Sequence, residues 1–314
     1  MIWKPIRFIP DDTKIAFMRM SRFGFFVSGI LCALSILLFA TMGLNYGVDF
    51  KGGTVITIRT EGPANLDLLR STLGGLGLGD VELQEFGGPR DVLIRIEAQA
   101  GGEQSEQAAV AKVKQALGPK VDYRSVEVVG PKVSEELTEE AILAVVFSML
   151  LVLVYVWFRF EWQFAVGAII SLLHDVILSI GLFSLIGLEF NLSIIAAILT
   201  IIGYSLNDTV VVFDRIREFL RKYKQMPLAD LIDFSINSVL PRTLLTSVST
   251  MIALLALYIF GGEVIRGFTF AMIWGVVVGT YSSIFIASPV LIILGTKRDW
   301  SANVAKTRAE TARA

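Results

Sequence analysis

The sequence predicts a polytopic α-helical membrane protein with six transmembrane helices and one ferredoxin-like α+β extracytoplasmic domain between the first and second helices. The first observation is composition: 54% of the 314 residues are hydrophobic and 18% are charged, with a mean hydropathy of +0.65, outside the range of soluble globular proteins. The second is length, because a spanning helix needs about 20 mostly apolar residues. Six segments reach that length: 22–43, 139–158, 163–186, 192–213, 241–260 and 266–295.

Positive charges are concentrated on one side of these predicted helices. The short connections on the opposite side carry Glu189 in one case and Glu263 with Arg266 in the other. By the positive-inside rule both termini are cytoplasmic and residues 44–138 are periplasmic. The basic residues on the cytoplasmic side are Lys4, Arg7, Lys14, Arg19, Arg22, Arg159, Arg215, Arg217, Arg221, Lys222, Lys224, Lys297 and Arg298.

The predicted helices divide the chain into five parts. The first apolar segment follows a basic leader and has no small-residue cleavage site at its end, so it is expected to stay as an anchor. Cys32 is the only cysteine, so no intramolecular disulfide can form. The parts are a cytoplasmic segment (1–22), the first helix (23–43), the α+β domain (44–138), a five-helix membrane region (139–295) and a cytoplasmic tail (296–314), which is expected to be disordered from Ser301.

The residues of the α+β domain predict the element order βαββαβ. Alternating apolar residues indicate strands at 54–60, 81–86, 91–97 and 121–129, and helical periodicity indicates helices at 65–73 and 103–117. Asn65 is expected to cap the first of these helices. This order is that of a ferredoxin-like domain. The segment contains no cysteine, histidine or phosphate-binding glycine loop, which favours a binding or lever role over catalysis.

Three connecting features are interpreted from their composition. Gly130 and Pro131 predict a stiff, kinked joint between the α+β domain and the second helix, through which motion could pass. The basic segment from Arg215 to Ser238 predicts a partly amphipathic loop along the cytoplasmic membrane surface. Pro241 is expected in the first turn of the fifth helix, where its missing N–H costs least.

The sixth predicted helix carries small residues at every fourth position. This spacing places them on one face and predicts close packing against a neighbouring helix. The residues are Gly267, Ala271, Gly275, Gly279, Ser283 and Ala287.

Asp208, within the fourth predicted helix, is the principal candidate functional residue. An ionised carboxylate in a bilayer costs at least ~2.5 kcal/mol on insertion scales, so such residues usually face a protein interior or a wet cavity. Asn207, Tyr204, Gly203 and Thr200 are predicted to share its helix face as an interior polar seam. The alternative is that Asp208 only reaches toward the cytoplasmic interface.

Arg242, at the cytoplasmic start of the fifth predicted helix, lies at a depth comparable with that of Asp208. A pair of opposite charges would lower the cost of burying either one, and protonation of Asp208 would release Arg242. The two residues therefore predict a switch driven by proton occupancy. The simpler interpretation makes Arg242 a positive anchor at the membrane surface.

His174 and Asp175 form the second candidate pair, near the middle of the third predicted helix. Gly167, Ser171 and Ser179 share the face of Asp175 at four-residue spacing. Because imidazole gains and loses a proton near neutral pH, the pair could pass a proton. It could equally be a satisfied hydrogen bond between helices, and the sequence leaves both interpretations open.

Several motifs in order resemble the SecF family of protein-export membrane proteins, the smaller partner of SecD within the RND superfamily. The resemblance covers nearly the whole chain. The motifs are GLNYGVDF (43–50), GGT (52–54), VEVVGP (126–131), FRFEW (158–162), HD (174–175), IGYSLND (202–208), DRIRE (214–218) and RTL (242–244).

This resemblance implies a subunit of the bacterial inner membrane that pairs with SecD, acts beside the SecYEG translocon and uses the proton-motive force to help export unfolded polypeptides. It associates the positions of Asp208 and Arg242 with proton coupling. It also implies that this chain supplies one six-helix repeat while a partner supplies the other. No enzymatic activity, cofactor, metal or nucleic-acid partner is expected.

Two other functions compete with this interpretation. A proton-coupled RND-like exporter of lipids or small molecules would need its own second repeat and larger extracytoplasmic domains. An intramembrane aspartyl protease would use two aspartates at matching depth, for which Asp175 and Asp208 are candidates. The Ser-Leu-Asn-Asp context of Asp208 and the candidate partner Arg242 favour ion coupling over peptide hydrolysis.

Overall fold

The computed structural model describes residues 13–296, and the remainder of the predicted leader and tail lies outside the described residues. In chain order the helices are α1 (Phe17–Met42), α2 (Val48–Lys51), α3 (Leu66–Gly74), α4 (Glu103–Leu117), α5 (Pro131–Arg159), α6 (Trp162–Ile186), α7 (Leu192–Lys222), α8 (Leu228–Phe260), α9 (Arg266–Ser282) and α10 (Ser288–Leu294). The strands are β1 (Asn45–Tyr46), β2 (Gly53–Thr60), β3 (Val81–Glu85), β4 (Asp91–Ile96), β5 (Val121–Val129) and β6 (Glu189–Phe190).

Six helical segments are long and apolar enough to cross a membrane, which confirms the predicted fold class. They are α1, α5, α6, α7, α8 and the continuous segment Arg266–Leu294. This last segment consists of α9 and α10 joined by the π-helical stretch Ser283–Ala287. Helices α5 and α1 expose most of their apolar side chains, whereas α6 and Arg266–Leu294 are half or more buried. The latter two, with α7, therefore form the centre of the membrane region.

The basic segment between the fourth and fifth spans is helical, so the predicted surface loop from Arg215 to Ser238 is wrong. Helix α7 continues to Lys222 and α8 begins at Leu228. The amphipathic pattern of this segment packs one helix against the other instead of against lipid. The buried apolar residues on the two extensions are Ile216, Phe219, Leu231, Ile232 and Ile236. For the same reason Pro241 lies inside α8 rather than in its first turn.

The polar side of the α8 extension holds the start of α1. The Asp233 carboxylate accepts a hydrogen bond from the Met18 N–H at 2.8 Å. The Asn237 side chain accepts from the Ile15 N–H at 3.0 Å and donates to the Ile15 carbonyl at 2.8 Å. Since the first N–H groups of a helix lack partners within it, Asp233 satisfies a donor in the first turn of α1, while Asn237 holds Ile15, which precedes that helix.

The α+β domain is built as the sequence predicts. Its four strands form an antiparallel sheet in the order β3-β4-β2-β5, the ferredoxin-like arrangement. Asn65 caps α3, accepting a hydrogen bond from the Leu68 N–H at 3.0 Å. Apolar side chains from the sheet, α3 and α4 form one core, of which the largest fully buried members are Ile56, Ile58, Leu73, Leu78, Ile94 and Ile96.

A single residue joins the sheet to the membrane region. Strand β5 ends at Val129 and α5 begins at Pro131, with Gly130 between them. Proline suits the first helical position because no N–H is needed there. On the neighbouring strand, Gly53 has φ +114° and a Cβ there would collide with the Ile96 carbonyl, so only glycine fits this close approach.

The small-residue face of α9 packs against α7, as the spacing predicts. A Cβ on Gly275 would overlap the Ile201 side chain, and a Cβ on Gly279 would lie 3.0 Å from the Ser205 Cβ. The two backbones can approach this closely only because these positions lack side chains.

Gly275→Ala is expected to lower the thermal stability of the purified protein in detergent, because the added methyl group forces α7 and α9 apart. Overpacking of this kind costs about 1–3 kcal/mol. Gly203→Ala on α7 is the matched control, since no atom lies within 4 Å of a Cβ there. That variant is expected to be neutral or stabilising, and equal melting temperatures for the two variants would contradict the close packing.

Candidate functional site

Asp208 lies in the middle of α7 and is buried, with 2% of its surface exposed. Its Oδ2 atom makes no hydrogen bond to the residues that the structure describes. Buried polar atoms are nearly always hydrogen-bonded in folded proteins. A carboxylate left in this condition within a membrane helix is therefore costly when ionised, and it is a strong candidate for a group that takes up a proton.

Arg242 on the adjacent α8 interacts electrostatically with Asp208. Its side chain is exposed on the surface of the chain. In the described part of the chain, the ion pairs within 4.0 Å join other side chains. None of them joins Arg242 to Asp208. The structure therefore brings the two predicted residues into electrostatic range without a direct contact.

Polar residues of α7 and α8 form an outward face rather than the interior seam that the sequence predicts for Thr200, Gly203 and Asn207. These three residues are exposed, and the helices are linked by a hydrogen bond of 3.4 Å from the Tyr204 hydroxyl to Ser247. The three residues of α7 do share one face of the helix, as predicted, but the described part of this chain does not cover that face. The exposed polar face consists of Thr200, Gly203 and Asn207 on α7 and Arg242, Thr246 and Ser249 on α8.

His174 and Asp175 lie away from that face, buried between three helices. The His174 Nδ1 lies 2.9 Å from the Asp175 Oδ1. The Asp175 Oδ2 accepts hydrogen bonds from the Ser205 hydroxyl of α7 at 2.6 Å and from the Ser282 hydroxyl of α9 at 2.9 Å. Asp175 is 1% exposed, and both serines are fully buried. One carboxylate thus connects α6, α7 and α9.

Sequence reasoning missed both serines of this network. Ser205 lies within the motif that contains Asp208, but the sequence gives no reason to pair it with Asp175. Ser282 lies one position before Ser283, a member of the small-residue face, so its role depends on the rotation of α9. The available signal was the presence of hydroxyl groups near the middle of three apolar helices.

A second charged pair connects the α+β domain to the membrane region. Arg95 of β4 forms an ion pair with Glu189 of β6, with 2.7 Å between Nη2 and Oε2. Burial raises the pKa of the Glu189 carboxyl, an effect that the charge of Arg95 opposes. Sequence reasoning treated Glu189 only as a loop charge.

Within residues 13–296 no group of three or more His, Cys, Asp or Glu side chains is arranged to hold a metal ion.

The six spans, the charged group in α7 and the extramembrane domain define a multi-pass membrane protein of the transport class. Two family profiles match the chain: "Protein export membrane protein SecD/SecF, C-terminal" over residues 109–297 and "SecD/SecF GG Motif" over residues 37–64. The chain is 45% identical to protein translocase subunit SecF of Cereibacter sphaeroides over 304 residues, covering 93% of each. It belongs to the SecF family of protein translocase subunits.

Longer relatives contain a region that is similar to this chain. Protein translocase subunit SecDF of Brucella abortus is 45% identical over 293 residues, which are 93% of this chain and 39% of the relative. The crystal structure of SecDF, a translocon-associated membrane protein from Thermus thermophilus, matches with a TM-score of 0.82 and 35% identity. The match covers 92% of this chain and 40% of that one. The chain thus spans about two fifths of each SecDF protein.

Proposed function

We propose that this chain pairs with a SecD-type subunit beside the SecYEG translocon and uses the proton-motive force to promote export of unfolded polypeptides across the bacterial inner membrane. The single observation that carries the proposal is the buried carboxylate of Asp208, which has an unpartnered oxygen and lies in electrostatic range of Arg242. In this arrangement both termini are cytoplasmic and the α+β domain is periplasmic, following the distribution of basic residues.

The exposed polar face supports a membrane partner. Polar and charged side chains at membrane depth face other proteins or water-filled cavities because lipid cannot satisfy them. The face contains Asn207 and Arg242, which this chain alone leaves exposed. SecDF relatives carry a region equivalent to this chain within one longer polypeptide, and the rest of such a polypeptide, or a separate SecD, is the natural cover.

Proton uptake at Asp208 supplies the chemical step. When the carboxylate is ionised, Arg242 is held by its charge; when a proton neutralises it, that attraction disappears and the cost of burying Asp208 falls. Asn207 is the neighbour of Asp208 in sequence. Its side chain lies on the exposed polar face, where it can orient the partner's groups. The electrostatic attraction between α7 and α8 differs between the two states, so binding and release of the proton move one helix relative to the other.

For Asp175 the hydrogen-bond interpretation is favoured over a proton relay, whereas the His174 Nε2 atom is buried without a hydrogen-bond partner among the described residues. Both oxygens of Asp175 already have partners, and no hydrogen bond among the described residues connects this network to Asp208. The same observation weighs against a protease, which would bring Asp175 and Asp208 together on one peptide bond. Asp175 then helps to fix the rotation of α7 through its hydrogen bond with Ser205.

Ser205→Ala combined with Ser282→Ala is expected to lower thermal stability by about 1–3 kcal/mol, because the Asp175 carboxylate loses two buried donors. Proton-stimulated export should persist in whatever protein remains folded. Melting of the purified chain and export per folded molecule measure the two effects. Selective loss of proton stimulation at normal stability would place Asp175 on the proton path.

The proposed function is tested with inverted membrane vesicles depleted of the endogenous protein. An export substrate is first driven partway by ATP, ATP is removed, and a proton gradient is imposed. Vesicles containing this chain and a SecD-type partner should complete translocation only with the gradient. Completion that is independent of the gradient, or of this chain, would contradict the proposal.

A further inference from the structure

Three contacts fasten the start of α7 to the segment that enters the α+β domain. Strands β1 and β6 pair in parallel, with Asn45 opposite Glu189 and Tyr46 opposite Phe190. The Gly47 N–H donates to the Phe190 carbonyl at 2.9 Å. The Asp49 carboxylate accepts from the Leu192 N–H at 2.9 Å, which caps the first turn of α7 from another part of the chain.

The Arg95–Glu189 ion pair extends this attachment to the sheet itself. Arg95 lies in β4, and its side chain is 14% exposed, against 30% for Glu189. Arg95 also borders a cavity of about 390 Å³ that Tyr46, Gly47 and Lys51 line as well.

Arg95 is also anchored within its own sheet. Its Nη1 atom lies 3.2 Å from the Oε2 atom of Glu82, which is its cross-strand neighbour on β3. Two carboxylates therefore fix the guanidinium, one from the domain and one from the membrane region. A planar guanidinium has the fork geometry for such a double contact, which an ammonium group lacks.

The position of Glu189 connects this contact to the candidate proton site. Glu189 precedes the first residue of α7 by three positions, and Asp208 lies on the same uninterrupted helix. At 1.5 Å per residue, Asp208 is about 24 Å from the start of α7. Because the helix is uninterrupted, a shift of α7 along its axis, or a tilt about Asp208, also moves Glu189.

We propose that the Arg95–Glu189 ion pair is a coupling strut that stays closed while the protein works and makes the α+β domain move together with α7. The use of this strut in export rests on the proposed function. Arg95 and Glu189 are positioning residues, since Arg95 acts on the domain through β4, Glu189 acts on α7 through β6, and neither belongs to the exposed polar face.

Other charged groups surround the ion pair. Burial raises the pKa of the Glu189 carboxyl, Asp49 and Glu127 add to this effect, and Arg95 opposes it. Around Arg95 the cavity also carries Lys51, Asp80, Glu82 and Glu97. The ion pair requires an ionised Glu189, so protonation of this carboxyl would remove it.

Charge reversal tests the strut. Glu189→Arg and Arg95→Glu are each expected to speed hydrogen exchange of the β1 and β6 amides in the purified chain by about tenfold, the ratio for loss of a partly buried pair. Each should also remove most proton-stimulated export. The double reversal should restore both measurements in part, because it remakes the pair with position 189 but leaves Glu82 facing a carboxylate at position 95. The matched control is the reversal of Arg59 and Asp91, an ion pair of 2.6 Å within the same sheet, which should leave export unchanged when either residue is reversed.

Crosslinking decides whether the strut stays closed. In a Cys32→Ser background, which removes the only native cysteine, the substitutions Arg95→Cys and Glu189→Cys introduce two thiols. A short bifunctional reagent that forms a disulfide with each thiol joins them, so that reduction releases the link. Before linking, this variant lacks the ion pair and should export poorly, and linking should restore proton-stimulated export. Loss of export on linking, with recovery after reductive cleavage, would overturn the proposal, as would single reversals that behave as wild type in both measurements.

The design separates this proposal from the proposed function. If wild-type protein shows no proton stimulation, the proposed function fails, while hydrogen exchange in the purified chain still decides whether Arg95 and Glu189 hold the domain to α7. Unchanged exchange in both single variants would then overturn the strut by itself.

Discussion

Asp208→Asn is expected to abolish proton-dependent export while leaving the protein folded and paired with its partner. Asparagine has nearly the same shape as aspartic acid but cannot bind or release a proton. It also removes a buried charge that has an unpartnered oxygen, so thermal stability should be equal to or higher than that of wild type. Export in the ATP-driven stage should be unchanged, whereas completion under a proton gradient should fall to the level without a gradient.

Inverted vesicles that contain each variant at matched levels provide the measurement for Asp208→Asn. Glu218→Gln is its matched control, because Glu218 lies on the same helix in an exposed ion pair with Arg215, and such pairs contribute little. The control should export as wild type does. Normal gradient-driven completion by Asp208→Asn would rule out this carboxylate as the coupling group.

Arg242→Lys is expected to reduce gradient-driven export by about tenfold or more, although it keeps the positive charge. Lysine is a compact point charge without the planar fork of arginine, so it cannot make paired hydrogen bonds to a carboxylate or to a partner across the exposed polar face. The change is conservative in charge alone, which isolates geometry from electrostatic anchoring. The vesicle assay with a proton gradient measures it.

The comparison for Arg242→Lys is Arg221→Lys, an exposed cation in the last turn of α7. An anchor at the membrane surface tolerates either basic residue, so Arg221→Lys should behave as wild type. If Arg242→Lys matches it, Arg242 is a generic positive anchor and the proton switch loses its second member.

Much of the fold follows from the sequence because its elements depend on local patterns. The length of apolar segments identifies six spans, and alternation with an Asn65 cap identifies the α+β domain. The segment from Arg215 to Ser238 could not be assigned locally. A basic amphipathic stretch suits both a membrane surface and a helix packed against another helix, and only the buried partners on α7 and α8 decide between them.

The candidate site was predictable in part for a related reason. Asp208 and the His174–Asp175 pair are conspicuous because charges are rare in apolar helices. Their surroundings depend on how helices rotate and cross, which sequence spacing does not specify. Ser282 therefore went unnoticed, and Asn207 was assigned to an interior that this chain does not provide. The contact between Arg95 and Glu189 joins distant parts of the chain and left no local signal.

Proton influx into liposomes is the most direct test of the central claim that Asp208 couples proton movement to export. The chain and a SecD-type partner are reconstituted together, a pH gradient is imposed, and influx is recorded with and without an unfolded substrate and a translocon. Wild-type protein should admit protons in a substrate-dependent way, and Asp208→Asn should admit none above protein-free liposomes. Equal influx for the two proteins, or none for either, would contradict the claim and leave the buried charges a structural role.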